Sequence, residues 1–246
     1  MSGILFNVML SHGYTPRDLI LSTIISIPKD MKSPISNSDN YRGISLFNAI
    51  GKVFDYAILT LCGDSFSTSE MQFGFKKHHS TVMCSLVYHE VISHYLSGNS
   101  NVYSCLLDAS KAFDRVHFGK MFDILLTKNV PFCIVRLLFD SYTRQEARVM
   151  WNLSKSQYFC IGNGVKQGGV LSPVMFNLYI DRLLVILKET GIGCHINGIF
   201  MGALAYADDI TISSPSLQGL NSMLDICRIF ALDNFIIFNC KKNCMY

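Results

Sequence analysis

The chain has 246 residues, half of them hydrophobic, and carries a formal net charge of +3. That length allows a full core in one large domain or in two small ones, and so small a charge does not by itself indicate a nucleic-acid binder. The nine cysteines include no CxxC pair, which disfavours a zinc site. The odd cysteine number and the absence of a secretory signal indicate an intracellular protein, nuclear or cytoplasmic. No apolar run is long enough to cross a bilayer, so no membrane association is expected.

The N-terminal half alternates between apolar segments and polar connections. Residues 18–28 predict a β-branched strand that a proline ends, and the polar segment after it predicts a loop. Apolar spacing predicts helices over 44–62 and 80–97. Residues 102–108, VYSCLLD, predict a buried strand that ends on Asp108.

The C-terminal half adds three predicted helices and two predicted hairpins. A helix is predicted over 131–144, followed by a hairpin over 146–164 with its turn near 153–156. Ser172 and Pro173 are typical of a helix start. Two short strands flank the acid pair of 199–213, and 217–232 again predict a helix. Because the strands do not alternate strictly with helices, the pattern favours an α+β fold.

Two adjacent acids, Asp208 and Asp209, interrupt the apolar run GALAYADDITIS. Aspartate is common at hairpin turns, so the pair alone is a weak signal. Asp108 ends another strand one hundred residues earlier, and if the two strand ends lie side by side, three carboxylates converge and need a cation. Mg²⁺ prefers carboxylate and phosphate oxygens, and two ions about 3.5–4 Å apart can clamp the attacking and leaving oxygens of a phosphoryl transfer.

Six sequence blocks resemble those of reverse transcriptases, and they occur in the family's order. YADD (206–209) resembles the signature hairpin of the family, and LLDASKAFDRV (106–116) resembles its first catalytic motif. GVKQGGVLSPVMFNLYIDRLL (164–184) resembles the Gly-rich turn with its helix, and FNCKKN (238–243) resembles the motif after the signature. IPKD…NYRGISL (27–46) and QFGFKKHHST (72–81) resemble two finger motifs of the non-LTR, LINE-type retrotransposon branch. Because the blocks cover nearly the whole chain, chance is not a serious competitor.

The resemblance implies an RNA-directed DNA polymerase that joins dNTPs to a primer 3′-hydroxyl with two Mg²⁺ ions, or Mn²⁺ in their place. Asp108 and Asp208 would be the principal metal ligands, and Asp209 would be the adjoining carboxylate. Lys242 matches the lysine proposed to protonate the leaving pyrophosphate. A charged residue near the chain end is the alternative interpretation of that lysine.

The resemblance also implies a set of nucleotide-binding residues. Lys29 and Arg42 match the finger positions that hold the triphosphate, although each is also compatible with an ordinary surface charge. Gln167 and Gly168 would line the nascent base pair. Phe113 stands where the family has the ring under the incoming sugar, which would exclude a 2′-hydroxyl. The alternative for Phe113 is a core phenylalanine at a helix start.

Lys76 would contact the template, since it occupies the family's common arginine position and keeps the positive charge without the guanidinium fork. The implied architecture is the palm of a right-hand polymerase, an antiparallel sheet backed by helices, together with fingers and no thumb. The predicted parts are fingers over 1–99, the first part of the palm over 100–118, a fingers insertion with a hairpin over 119–164, and the palm with the YADD hairpin over 165–246.

The implied partners are an RNA template, a DNA primer and dNTPs. Because the family's thumb would follow Tyr246, we expect a chain truncated before the thumb, which with the endonuclease region would belong to a longer polyprotein. Two other functions stay open: a catalytically silent remnant that at most binds RNA, and a related palm polymerase that makes RNA.

Overall fold

The computed structural model describes residues 2–30, 32, 36–37 and 40–239. The chain forms two compact units, each built from two chain segments. The first unit comprises Met1–Phe66 and His117–Ser172, and the second comprises Ser67–Val116 and Pro173–Tyr246. Within the described ranges, no helix is both long and apolar enough to cross a bilayer.

Helices and strands are interspersed along the chain, as the α+β prediction required. The helices are α1 (Ser2–His12), α2 (Arg17–Ile20), α3 (Ala49–Leu61), α4 (Thr81–Ser97), α5 (Phe118–Thr127), α6 (Phe132–Thr143), α7 (Ser172–Glu189) and α8 (Leu217–Asp233). The strands are β1 (Leu21–Pro28), β2 (Tyr41–Phe47), β3 (Tyr103–Asp108), β4 (Glu146–Trp151), β5 (Ser154–Lys155), β6 (Phe159–Cys160), β7 (His195–Ile196), β8 (Ile199–Phe200), β9 (Ala203–Tyr206) and β10 (Asp209–Ser214). A short 3₁₀ turn covers Phe113–Arg115.

The first unit has a sheet in the order β2-β1-β4-β5, with β6 also paired to β4. The pairing of β1 with β2 is antiparallel, whereas that of β1 with β4 is parallel. Helix α6 packs against α1 and α5, and Leu125, Leu137 and Ala147 are fully buried. Burial of such side chains stabilises the unit by about 1.5–3 kcal/mol for each large apolar residue.

The second unit is built around the antiparallel sheet β3-β10-β9. Helix α8 packs on β3 and β10, and α4 packs on β9. Along α7, the side chains of Tyr179, Ile180 and Leu183 are at most 1% exposed. The central strand β10 therefore has a partner strand on each side. These two partners hold its first residue, Asp209, in place.

Most of the predicted helices are confirmed. Those predicted over 80–97, 131–144 and 217–232 are α4, α6 and α8, each within one residue of the predicted bounds, and Ser172 does open α7. The prediction of a helix over 44–62 was wrong at its start, because the first residues belong to β2, which pairs with β1. The first residues of the strand predicted from Asp18 belong to α2.

The hairpin predicted over 146–164 is confirmed, but its turn lies earlier than expected. Trp151 pairs with Ser154, so the turn residues are Asn152 and Leu153. Asn152 has φ +52°, and asparagine tolerates this left-handed conformation better than most residues.

Candidate active site

The strand ends that carry Asp108 and Asp209 are neighbours. Asp108 is the last residue of β3, Asp209 is the first of β10, and the antiparallel register pairs the two directly. Directly opposed residues of such a ladder project from the same face, with Cβ atoms about 4.5–5.5 Å apart. Asp108 is half-buried and Asp209 is exposed. The predicted adjacency of these two strand ends is therefore confirmed.

Asp208 lies at the tip of the two-residue turn between β9 and β10. Tyr206 pairs with Asp209, so Ala207 and Asp208 are the turn residues. Ala207 has φ +58°, whereas Asp208 is not among the residues with positive φ; this is the pattern of a type II′ turn. Such a turn follows the twist of the strands and places half-buried Asp208 one residue from the facing pair.

The three carboxylates fit a hard divalent cation in their chemistry, because such ions take oxygen ligands. Two of them occupy facing strand positions and the third lies at the adjoining tip. In the part of the chain that the structure describes, no group of three or more His, Cys, Asp or Glu side chains is already gathered as a metal site. Metal binding by these acids therefore stays a prediction.

Asn239 is a neighbour of Asp108 that the sequence analysis did not single out. The segment after α8 forms an antiparallel bridge between Phe238 and Ala109. The Asn239 N–H donates to the Asp108 carbonyl at 2.7 Å, and its side-chain Nδ2 lies 3.5 Å from Asp108 Oδ2. The only sequence signal was its place in the FNCKKN block. Lys242, from the same block, lies outside the described residues.

Phe113 is half-buried rather than part of the core. Its ring stacks on that of Phe176 with centroids 5.1 Å apart and an angle of 13° between the planes, and Phe176 is 1% exposed. The ring of Phe75 approaches Phe113 edge-on at 6.2 Å. Phe75 is 55% exposed and has φ +56°; sequence reasoning missed it. The sugar contact of Phe113 stays a prediction.

Lys76 is engaged with the backbone of its own loop. Its Nζ donates to the carbonyl oxygens of Thr68 at 3.2 Å and Ser69 at 2.7 Å. An ammonium group has three donors, so two of them hold the loop closed. The predicted template contact stays a prediction, and Lys77 beside it is exposed.

Lys29 and Arg42 lie together at one end of the first unit's sheet. Arg42 of β2 pairs with Ile27 of β1, and the Lys29 N–H donates to the Asn40 carbonyl at 2.6 Å, which extends the ladder. Because side chains alternate along a strand, Lys29 falls on the same face as Ile27, diagonal to Arg42. Both cations are exposed.

The turn that contains Gln167 and Gly168 is tied to the same strand, β2. The Ser45 N–H donates to the Gln167 carbonyl at 2.8 Å. Gly168 has φ +96°, and a Cβ there would lie 3.3 Å from the Ser45 carbonyl oxygen. A glycine is therefore needed at this position both for its conformation and for the close approach.

Two half-buried charged residues of the first unit, Asp55 and Lys166, lie beside this turn. Burial raises the pKa of Asp55 to about 6, while Lys166 and the N–H groups of 170–171 oppose that rise. Burial also lowers the pKa of Lys166 to about 8 against the effect of Asp55. The Lys166 Nζ donates to the Ile20 carbonyl at 3.3 Å. The sequence offered no local signal for this pair.

Comparison with protein-family models shows which family the chain belongs to. Residues 27–246 match the model of the family described as reverse transcriptase (RNA-dependent DNA polymerase). The chain belongs to the reverse transcriptases.

This reverse transcriptase is similar to polymerases of retrotransposable elements. It is 28% identical over 221 residues to the Pol polyprotein of the type-2 element R2DM of Drosophila melanogaster, across 90% of this chain and 21% of that protein. It is 27% identical over 254 residues to the RNA-directed DNA polymerase of the mobile element jockey of the same species, across 97% and 26%. The chain thus spans about a quarter or less of these relatives. The predicted non-LTR retrotransposon kinship is confirmed.

Solved structures of telomerase share the fold of this reverse transcriptase. Telomerase of Candida tropicalis in complex with a TWJ fragment of telomeric RNA superposes with a TM-score of 0.67 at 11% identity, over 99% of this chain and 44% of that one. The apo enzyme of the same species gives 0.68 at 11%, over 99% and 48%. At that identity the likeness shows the fold alone, and it confirms the predicted right-hand polymerase fold.

Proposed function

We propose that this chain contains the catalytic part of an RNA-directed DNA polymerase, which adds dNTPs to a primer 3′-hydroxyl along an RNA template. The observation that carries the proposal is the register that pairs Asp108 with Asp209 and leaves Asp208 at the adjoining tip. Carboxylates crowded in this way favour their charged forms only when a cation is near.

Two divalent ions, Mg²⁺ or Mn²⁺, would be held by Asp108 and Asp208, with Asp209 beside them. Bound there, the ions would lower the pKa of the primer 3′-hydroxyl and neutralise the charge of the triphosphate. The contribution of the protein is to keep these acids on a rigid sheet, because β10 has a partner strand on each side. Lys242 is proposed to give a proton to the leaving pyrophosphate.

Roles toward the incoming nucleotide are proposed for five residues. Exposed Lys29 and Arg42 would hold its phosphates, since a guanidinium grips phosphate oxygens in a fork and an ammonium acts as a point charge. Gln167 and Gly168 would line the nascent base pair, and Phe113 would exclude a 2′-hydroxyl. Lys76 is proposed to lie on the template side.

The palm proposed over 100–118 and 165–246 overlaps most of the second unit, which also includes residues 67–99. The fingers proposed over 1–99 and 119–164 overlap most of the first unit. A thumb and an endonuclease region elsewhere in a longer polyprotein are proposed as partners, because the chain spans only 21% of the R2DM polyprotein.

The test is incorporation of dTTP on poly(rA) primed with oligo(dT), in Mg²⁺. We expect Asp208→Asn to lower the rate by at least about 10²–10³-fold, as loss of a group that stabilises transition-state charge does. The matched control is Asp225→Asn, which removes an exposed acid of the second unit that is 3.5 Å from Arg228 and should retain the parent rate. Equal incorporation by the parent and Asp208→Asn would contradict the proposal and favour the silent remnant.

A further inference from the structure

The turn that carries Asp208 has an alanine where glycine would be the natural residue. Ala207 has φ +58°, and its Cβ makes this left-handed conformation unfavourable. Ala207 is also 5% exposed, so solvent hardly reaches it. Something in the surrounding structure must therefore hold the turn in this shape.

The side chain of Gln72 contacts the backbone of Ala207 on both sides. Its Oε1 accepts from the Ala207 N–H at 2.9 Å and from the Gly74 N–H at 2.8 Å. Its Nε2 donates to the Ala207 carbonyl at 3.3 Å. Gln72 is 0% exposed, so no water competes for these bonds, and their loss would leave buried polar groups unsatisfied.

The backbone around Gln72 is fixed against the neighbouring strand. Ala205 of β9 donates its N–H to the Met71 carbonyl at 2.8 Å and accepts from the Phe73 N–H at 2.7 Å. This parallel bridge at Ala205 lies two residues before Ala207, which brings the Gln72 side chain up to the turn.

Gly74 and Asn177 complete the support. A Cβ at Gly74 would lie 2.2 Å from the Ala207 nitrogen, so this position admits no larger residue without a shift of the turn. Asn177, on the buried part of α7, donates from Nδ2 to the Gly74 carbonyl at 2.7 Å. The contacts all belong to the second unit.

We propose that Gln72 is a positioning residue: its amide holds Ala207 in the left-handed conformation and so fixes Asp208 at the tip of the turn. The QFGF block thereby has a structural task at the catalytic hairpin besides the template contact proposed for Lys76. An amide is required because the site needs two bonds accepted and one donated by the same side chain. The consequence for catalysis rests on the proposed function, whereas the consequence for the turn does not.

Hydrogen exchange of the 246-residue chain, without metal or nucleic acid, tests the turn directly. We expect Gln72→Leu to speed exchange in peptides spanning 203–212 by about tenfold, the equilibrium factor of one net hydrogen bond. Gln72→Glu keeps the acceptor and loses the donor, so its exchange rate in these peptides should lie between those of the parent and of Gln72→Leu. The matched control is Gln145→Leu in the first unit: Gln145 is 1% exposed, yet neither of its amide atoms has a hydrogen-bond partner among the described residues.

A second substitution separates positioning from packing. Glycine adopts the left-handed region readily, so Ala207→Gly added to Gln72→Leu should restore most of the lost protection of the strands flanking the turn. Unchanged exchange in Gln72→Leu would overturn the proposal. So would faster exchange that Ala207→Gly does not restore. If circular dichroism shows that Gln72→Leu does not fold, the same exchange comparison is made with Gln72→Glu, with and without Ala207→Gly, and the same outcomes decide.

Polymerase kinetics then link the turn to Asp208. If the parent chain incorporates dTTP, Gln72→Leu should lower kcat by about tenfold with little change in KM for dTTP, and Ala207→Gly should restore kcat. If the parent chain is inactive, the proposed function fails, but the exchange results still decide whether Gln72 holds the turn. An unchanged kcat in an active Gln72→Leu variant would overturn the catalytic consequence.

Discussion

Phe113 is held by aromatic contacts that leave part of its ring accessible. Its ring stacks on that of buried Phe176 with centroids 5.1 Å apart, and the ring of Phe75 stands nearly perpendicular to it with centroids 6.2 Å apart. Because Phe113 is half-buried and stacked on a buried neighbour, its ring has little freedom to move and its accessible part presents a rigid surface. This is the arrangement that a steric contact with a nucleotide sugar needs.

Removal of this ring should relax the choice of sugar. We predict that Phe113→Ala raises the use of NTPs relative to dNTPs by about 10–100-fold, because a lost steric contact in a pocket changes discrimination by that order. Primer extension with each nucleotide set measures the ratio, and Phe113→Tyr, which keeps the ring, is the control. An unchanged ratio in Phe113→Ala would contradict the sugar contact, and a parent that prefers NTPs would favour the RNA-making polymerase.

At the scale of elements, the strands that carry the acids could be predicted because each is a short apolar run that stops at a polar turn. Strand β2 could not, since its sequence runs on into α3 without a break. Only its pairing with β1 separates the two elements, and the boundary shows afterwards in Asn48, whose side chain caps the Ile50 N–H at 2.8 Å.

Contacts between distant residues were beyond any local pattern. Gln72 and Ala207 are 135 positions apart, and no periodicity or motif spacing relates them. The same holds for Asn239 against Asp108, 131 positions away. Residue types at the site could therefore be predicted, whereas the side chains that orient them could not.

The pair beneath the Gln167 turn gives the first unit a defined pH dependence. Burial raises the pKa of Asp55 from 3.8 to about 6, so its contribution to the free energy of unfolding is full below pH 3.8 and lost as the pH rises through 6. Burial lowers the pKa of Lys166 from 10.5 to about 8. Its contribution is full above pH 10.5 and lost as the pH falls through 8.

We predict that Asp55→Asn flattens this dependence on the acidic side. As the pH rises from about 4 to about 6, the parent should lose free energy of unfolding. In Asp55→Asn this loss should be smaller by about 1–2 kcal/mol, a value reduced for partial solvent screening. Urea unfolding followed by Trp151, the single tryptophan and a residue of the same unit, measures it. Asp18→Asn, at an exposed position of α2, should keep the parent slope; an equal slope in Asp55→Asn would contradict the prediction.

At the scale of the whole molecule, each unit carries its own set of proposed site residues. The carboxylates of Asp108, Asp208 and Asp209 belong to the second unit, and the exposed cations of Lys29 and Arg42 belong to the first. Each unit combines two separate chain segments, so its boundaries do not follow from any change in composition along the sequence. The net charge of +3 is a sum over the whole chain, so it does not show the local charge of these acids or of these cations.

The central claim is that Asp108 and Asp208 bind the same divalent ions, and iron-directed cleavage tests it most directly. Fe²⁺ binds oxygen and nitrogen ligands more tightly than Mn²⁺, and with ascorbate and hydrogen peroxide it generates hydroxyl radicals that cut the nearby backbone. We predict cuts in both 107–110 and 206–210, suppressed by excess Mg²⁺, abolished in Asp108→Asn and Asp208→Asn, and retained in Asp225→Asn. Cuts confined to one of these segments, or unchanged in Asp208→Asn, would contradict the claim.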